Sequence, residues 1–224
     1  MGHQVEDVEE IRDEEVQSEA STSLANGEPV LAPENAEECL SSVEIDAPLD
    51  DLEESKGYAP TYRLANLDRF HPDPTQFFES NYTNTLKQMI DEIVESESPV
   101  RVDILAQRIS RAHGWLRTGS RIRERIDMHL KQYDRTQEST GEFIWKKGSV
   151  AELIPYRWPP NAETRRAVAD IPLAELASVV LEHPNLLNGQ DPARNLARFL
   201  GVDRLASPSR SRLEEAIELA RRFA

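Results

Sequence analysis

The chain has 224 residues, with 26 basic and 41 acidic side chains and a formal net charge of -15. Only 38% of the residues are hydrophobic, which is low for a chain that is packed along its whole length. The overall acidity argues against nucleic-acid binding by the chain as a whole, and no stretch approaches the roughly 18 to 20 apolar residues that a membrane-spanning helix needs.

The acidity is concentrated in the first quarter of the chain. Residues 1–57 contain 18 acidic and 2 basic side chains, so the remaining residues are close to neutral. This segment has no aromatic residue and no repeating apolar period, and it cannot bury enough apolar surface to offset the entropy lost on ordering. We therefore predict a disordered acidic segment over residues 1–57, which serves either as a linker or as a mask for a basic surface elsewhere in the chain.

The N-terminus and the cysteine content indicate the compartment. The first residues are acidic and polar, unlike a secretory signal. Cys39 is the single cysteine in the chain, which excludes an internal disulfide and fits a reducing compartment. We therefore expect a cytoplasmic protein with no membrane contact.

Aromatic residues begin at Tyr58, and the prolines of His71-Pro72-Asp73-Pro74 disfavour a helix there. Residues 58–80 are therefore predicted to form an extended arm that lies on a folded domain. Three helices follow, because apolar residues recur at intervals of three and four. Their predicted limits are Asn81 or Thr83 to Pro99, Asp103 to Gly114, and a third helix from Thr118 or Ser120 with Leu130 as its last core position.

Short strands flank these helices. Val100-Arg101-Val102 alternates before the second helix, and Phe143-Ile144-Trp145 is a strong strand signal after a turn at residues 137–141. Helix, strand, helix, helix and a hairpin in this order are typical of a winged helix. We predict a mainly α (α+β) fold with a winged helix-turn-helix at residues 81–150.

The C-terminal part repeats the plan at an offset of 91 residues. Leu105 aligns with Leu196, and Ser120-Arg121-Ile122 aligns with Ser211-Arg212-Leu213. We therefore predict a proline-rich connector over residues 151–171, followed by a second trihelical unit over residues 172–224.

The third helix is the candidate recognition helix. Eight basic residues lie from Arg101 to Lys131 and only three acidic ones oppose them. Free N–H groups at a helix N-terminus favour a phosphate. The candidate DNA-binding residues are Arg117, Thr118, Ser120, Arg121 and Arg125 on and before the helix, with Lys146 and Lys147 on the wing. In the alternative interpretation, Arg121 pairs with Glu124 and Arg123 pairs with Asp127 as ordinary surface pairs.

One stretch resembles a known family. Val100-x-x-Asp103-Ile104-Leu105-Ala106-x-x-Ile109 followed by Gly114-x-x-Arg117-Thr118-Gly119-Ser120-Arg121-Ile122 is similar to the module called domain of unknown function 3320. That module occurs at the end of large bacterial superfamily 1 DNA helicase-like proteins, many of which carry a nuclease domain and are linked to phage defence. The resemblance implies an accessory part whose partners are DNA and a helicase motor or nuclease domain. It assigns no catalytic residue.

No catalytic pattern is present in the sequence. A P-loop is absent, the five histidines are scattered, and Glu54-Ser55-Lys56 lies in the acidic segment. We therefore expect neither an enzyme nor a metal or cofactor site. The expected function is a DNA-binding accessory module that contacts the duplex backbone. The alternative is a protein-docking module that seats a helicase or nuclease without contacting DNA.

Overall fold

The structure is a computed structural model that describes residues 60–224. Within that range the chain is mixed α+β, with six α-helices and one three-stranded sheet. The α+β class is thus confirmed. The segment predicted to be disordered, residues 1–57, lies outside the described residues, as do Cys39, Glu54, Lys56 and the first two residues of the arm.

Three helices form the first helical group: α1 (Thr83–Glu97), α2 (Val102–Ala112) and α3 (Ser120–Leu130). The apolar stripe predicted for α1 is buried in the common core, together with one face of α2 and α3. Its fully or almost fully buried members are Leu86, Met89, Ile90, Ile93, Val94, Leu105, Ile109, Ile126 and Leu130. The three predicted helices are therefore confirmed, and burial of one face of each holds them together.

The helix starts differ slightly from prediction. α2 begins at Val102, so Asp103 lies in its first turn and does not cap it. α3 begins at Ser120 and is preceded by Gly119, which has no side chain to accept a hydrogen bond from the first turn. The N–H groups of the first turn of α3 therefore lack a side-chain cap.

The sheet contains β1 (Val100–Arg101), β2 (Asp134–Glu138) and β3 (Gly141–Trp145) in the order β1-β3-β2, with antiparallel neighbours. The strand predicted at residues 143–145 is confirmed, and all three of its side chains are buried. The hairpin turn is shorter than predicted, because residues 137 and 138 extend β2 and the turn consists of Ser139 and Thr140.

The second helical group contains α4 (Leu173–Glu182), α5 (Pro192–Phe199) and α6 (Ser207–Arg221). Its own core includes Leu176, Val180, Leu196, Leu213 and Ile217. No helix within residues 60–224 combines the length and the apolar character needed to cross a bilayer.

The hairpin of the first group packs directly on the second group. Phe143 and Trp145 of β3 form a small apolar cluster with Ala174 of α4. At the hairpin tip, the Glu138 carboxylate accepts hydrogen bonds from the Arg212 guanidinium of α6 and from the Leu173 backbone N–H at the start of α4. The tip, which would be the free edge of a wing, is thus covered by the second group.

Residues 60–79 lie across both groups without forming an α-helix. The backbone of Tyr62 donates to the Trp158 carbonyl at 2.9 Å, and the Trp158 N–H donates to Pro60 at 2.9 Å. Phe77 is fully buried in the first core. This strap therefore connects the beginning of the described chain to the segment that joins the two groups.

Candidate nucleic-acid interface

The N-terminal end of α3 brings together four of the predicted site residues. Arg117, Ser120 and Arg121 are exposed, and Thr118 is half-buried between them. Neither Arg117 nor Arg121 forms an ion pair with a carboxylate in residues 60–224. Two free cations therefore flank a helix terminus whose N–H groups have no side-chain cap.

Arg121 is held by an aromatic ring rather than by an acid. Its guanidinium carbon lies 4.9 Å from the centre of the Phe78 ring. Phe78 remains 43% exposed, so this cation–π contact is at the surface and leaves the guanidinium N–H groups accessible. The ring restricts the orientation of Arg121 without neutralising its charge.

Arg125 is committed to contacts within the protein. It donates to the Glu79 carbonyl oxygen at 2.7 Å and lies 3.4 Å from the Thr83 hydroxyl, at the start of α1. Its guanidinium carbon is 5.9 Å from the centre of the Phe77 ring. Arg125 thus joins α3 to the segment before α1 and offers fewer free donors than Arg121.

The two lysines that the sequence placed on a wing lie away from this end of α3. The Lys146 ammonium donates to Glu95 at 2.7 Å, near the C-terminal end of α1, and Lys147 is exposed beside it. Arg125 contacts Thr83 at the other end of the same helix, and the 12 intervening steps along α1 span about 18 Å. The structure therefore does not bring Lys146 and Lys147 into one cluster with Arg117 and Arg121.

The ion pairs around α3 differ from those considered in the sequence. Arg123 pairs with Asp103 of α2 and not with Asp127. Asp127 is bound instead by Arg135 of β2 at 3.0 Å. Such exposed pairs contribute little to stability, but they neutralise charge that a phosphate would otherwise meet.

Two buried carboxylates were not recognised in the sequence as structurally important. Glu97, at the end of α1, accepts hydrogen bonds from the Tyr62 hydroxyl at 2.5 Å and from Arg108 at 3.1 Å. Burial, reinforced by the neighbouring Glu97 carboxylate, raises the pKa of Tyr62 above its ordinary value. Periodicity does not reveal this pair, because Tyr62 lies 35 residues from Glu97.

The second buried carboxylate, Glu175 of α4, is bracketed by two arginines. Arg166 donates to it at 2.6 Å and Arg157 at 2.7 Å. Arg157 also donates to the carbonyl oxygens of Glu97 and Ser98, each at 2.8 Å. One guanidinium therefore satisfies the end of α1 and a buried acid of the second group.

His113 is buried behind the α2–α3 connection. Its Nδ1 lies 2.7 Å from the Ile109 carbonyl oxygen and its Nε2 lies 2.8 Å from the Tyr82 hydroxyl. The neutral ring, with the proton on Nδ1, satisfies both contacts. Burial lowers the pKa of His113 below its ordinary value, so the ring stays neutral near pH 7.

Among residues 60–224, no three His, Cys, Asp or Glu side chains come together in a way that would hold a metal ion. The arrangement at α3 is instead suited to binding an anion, because it combines exposed guanidinium groups with free backbone donors.

Comparison with known families identifies part of this region. Residues 75–124 match the family described as Protein of unknown function (DUF3320). The match supports a DUF3320 domain in this part of the chain. It covers α1, α2 and the start of α3, including Arg117 and Arg121, and the DUF3320 resemblance noted in the sequence is confirmed to that extent. No curated protein and no solved structure matched the chain.

Proposed function

We propose that this chain is a non-catalytic, DNA-binding accessory module that holds the DNA backbone at the N-terminal end of α3. The order of elements around the DUF3320 match supports a winged helix-turn-helix, with α3 as the recognition helix. The sheet order β1-β3-β2, in which a hairpin follows α3, agrees with that arrangement.

One observation carries the proposal. Arg117 and Arg121 are exposed, have no carboxylate partner within the described residues, and flank the uncapped first turn of α3. A phosphate placed there would accept from the guanidinium groups, the Ser120 hydroxyl and the backbone N–H groups together. Charge-assisted bonds of this kind are about twice as strong as bonds between neutral groups.

The affinity of this contact should be modest. The hairpin tip is bound by Arg212 and therefore adds no phosphate contact, and Lys146 is paired with Glu95. The remaining donors therefore reach fewer phosphates than the roughly 6 to 10 that strongly salt-dependent DNA-binding proteins contact. Such a module would guide DNA toward a partner that binds it more tightly. We infer that this partner is a helicase motor or nuclease domain, acting in the cytoplasm and in phage defence.

The test is a mobility-shift titration of a short duplex at several salt concentrations. Exchanging Arg117 and Arg121 together for alanine should weaken binding and reduce the slope of log affinity against log salt by about 2, because each neutralised phosphate contributes about 0.9. The matched control is the double change Arg221→Ala and Arg222→Ala, which removes the same charge from the end of α6. Equal losses of duplex affinity in both variants would show that α3 is not part of the interface.

A second candidate function is supported by exposed apolar side chains near α3. Leu116 is 91% exposed, Met128 is 56% exposed and Phe78 is 43% exposed. Exposed apolar groups on and beside one helix favour a protein interface, and the module would then seat a helicase or nuclease without contacting DNA. Absence of duplex binding at low salt, both in the full chain and after removal of residues 1–57, would favour this docking function.

A further inference from the structure

A groove lies next to the proposed DNA contact, between α2 and the connection that leads to α3. Its volume is about 380 Å³, within the range of pockets that hold small molecules. Arg101, Ser110, Arg111, Trp115, Leu116 and Arg117 line it. Arg117 therefore belongs both to the end of α3 and to the rim of this groove.

Ser110 has an unusual hydroxyl group. The residue is only 1% exposed, and its Oγ has no hydrogen-bond partner among residues 60–224. A serine within a helix commonly donates to the carbonyl oxygen four residues earlier. Ser178 of α4 does so, at 3.0 Å from the Ala174 oxygen, whereas Ser110 of α2 does not. A buried hydroxyl without a hydrogen-bond partner is unfavourable, which points to a ligand that would accept a hydrogen bond from it.

Arg101 provides a second unsatisfied donor on the same groove. Its Nη1 is anchored 3.1 Å from Asp170 and 3.3 Å from the Ala169 carbonyl oxygen. Its Nε is buried without a hydrogen bond, since the nearest carboxylate oxygen, on Asp103, is 4.0 Å away. The guanidinium is thus held in place by one edge while a further N–H remains unused.

The charge of the groove favours an anion. Arg111 and Arg117 are exposed and have no carboxylate partner within the described residues. Asp103, the acidic residue of the lining, is already in an ion pair with Arg123. An entering anion would therefore meet two free guanidinium groups.

The remaining wall is apolar and aromatic. The Trp115 ring is stacked on His113 at a centroid distance of 5.2 Å, which fixes its plane. Leu116 beside it is almost fully exposed. A single backbone phosphate of a duplex would need no such wall, whereas an unstacked base would cover it, as bases do on aromatic side chains of single-strand-binding proteins.

We propose that this groove binds one unstacked nucleotide of a DNA strand, with its phosphate at Ser110, Arg111 and Arg117 and its base against Trp115 and Leu116. The inference rests on the proposed function, since it assumes that DNA is the ligand of the neighbouring helix end. The module would then recognise a single-stranded segment or a frayed end next to a duplex.

The test uses the full chain and fluorescence anisotropy with two labelled probes, a 12-nucleotide oligothymidylate with a 5′-phosphate and a blunt 12-base-pair duplex. Ser110→Ala and Arg111→Ala should each weaken oligothymidylate binding about tenfold, the expected loss of one charge-assisted hydrogen bond. Binding of the blunt duplex should change less than about twofold, because neither side chain belongs to the proposed duplex contact. Arg222→Ala is the control for lost charge.

Thermal unfolding of the same variants separates binding from folding. Ser110→Ala should unfold at or above the temperature of the unaltered protein, because its hydroxyl makes no bond, whereas Ser178→Ala should unfold at a lower temperature. Unchanged oligothymidylate affinity in Ser110→Ala and Arg111→Ala would overturn the inference and leave the proposed duplex contact intact. Absence of binding to either probe in the unaltered chain would overturn both.

Thymidine 5′-monophosphate distinguishes the source of the nucleotide. If the ligand of the groove is a nucleotide within a DNA strand, the free nucleotide should be a much weaker competitor than unlabelled oligothymidylate. It should require a concentration at least about 100-fold higher, because the free nucleotide lacks the neighbouring backbone contacts. Equal affinity for the free nucleotide and the strand would overturn the assignment to DNA.

Discussion

Helices α3 and α6 contain a related Ser-Arg-apolar triplet, and the arginine of the triplet has opposite environments in the two helices. Ser120-Arg121-Ile122 opens α3, and Ser211-Arg212-Leu213 lies in the first turns of α6. Arg121 is exposed over a surface phenylalanine. Arg212 is 1% exposed and donates to Glu138 and to the Ile171 carbonyl oxygen, the latter at 3.0 Å. The local sequence therefore does not determine whether the arginine faces solvent.

The hairpin explains the difference. Its tip contributes Glu138 and Ser139 to the environment of Arg212, whereas no carboxylate among residues 60–224 pairs with Arg121. The same hairpin would be the wing of the first group, so the contact that buries Arg212 also removes the wing from a possible DNA surface. Arg121 therefore stays at the surface, while Arg212 becomes part of the core.

The largest expected effect comes from removing the acid that accompanies Arg212. Glu138→Ala would leave the buried guanidinium with only the more distant carboxylate of Glu215, at 3.5 Å, and we expect a loss of about 3 kcal/mol in the free energy of unfolding. Arg121→Met, the change at the related position, should alter that free energy by less than about 0.5 kcal/mol. Urea unfolding measures the free energy of unfolding of both variants. Similar losses would show that Arg121 and Arg212 make similar contributions to stability.

The next effect concerns the helix caps. α5 is preceded by Asp191, whose carboxylate accepts from the Arg194 N–H at 3.1 Å, whereas α3 is preceded by Gly119, which has no side chain. An added Cβ at Gly119 meets no atom within 4 Å, so Gly119→Asp fits and should cap α3. We expect it to weaken DNA binding about tenfold, because the carboxylate would occupy the N–H groups and repel phosphate.

Gly119→Asn is the matched control for that change. The amide caps a helix nearly as well but carries no charge. Its effect on DNA affinity should be clearly smaller than that of Gly119→Asp in the same titration. If the two variants bind DNA equally, the end of α3 is not near a phosphate.

A smaller effect is expected from pH. The pKa of His113 is lowered in the folded protein by burial, from an ordinary value of 6.5. The unfolded chain therefore binds a proton before the folded one as pH falls, so the free energy of unfolding decreases below about pH 6.5 by at most about 1.4 kcal/mol per pH unit. The loss continues until the folded ring is itself protonated.

His113→Asn tests this assignment. The histidine of the second group, His183, is not buried, so it offers no comparable site. Unfolding curves from pH 5 to pH 8 should show a steeper acid dependence for the unaltered protein than for the variant. Parallel curves would mean that His113 does not carry the effect.

The smallest expected effect is confined to the cap of α5. Hydrogen bonding from Arg210 lowers the pKa of Asp191 to about 2. Arg210→Gln should raise that pKa toward its ordinary value of 3.8, with little change in the rest of the fold. A carbon-detected NMR titration of the Asp191 carboxyl measures the shift, and an unchanged pKa would show that the pair with Arg210 does not form in solution.

Much of the fold was predictable because it depends on local patterns. The apolar residues of α1 recur at helical intervals, and residues 143–145 combine β-branched and aromatic side chains, so both elements appeared where the sequence indicated. The start of α2 was less predictable. Asp103 has the residue type of a helix cap, yet α2 begins one residue earlier, at Val102, directly after β1.

The candidate site was predictable only in part, because its details depend on distant pairs. The sequence located Arg117 and Arg121 on and before α3, since they lie beside a turn between two apolar stripes. It did not reveal that Lys146 pairs with Glu95, 51 residues away, or that Arg212 reaches Glu138 across 74 residues. Such contacts are set by how the two helical groups pack, and a single sequence carries no direct signal for that packing.

Arg157 has a mechanical consequence for the molecule. Its guanidinium donates to the backbone at the end of α1 and to Glu175, a buried acid in the first turn of α4, so it joins the two helical groups. Because α1 packs on α3 in the first core, this single side chain links the position of α4 to that of the helix that carries Arg121.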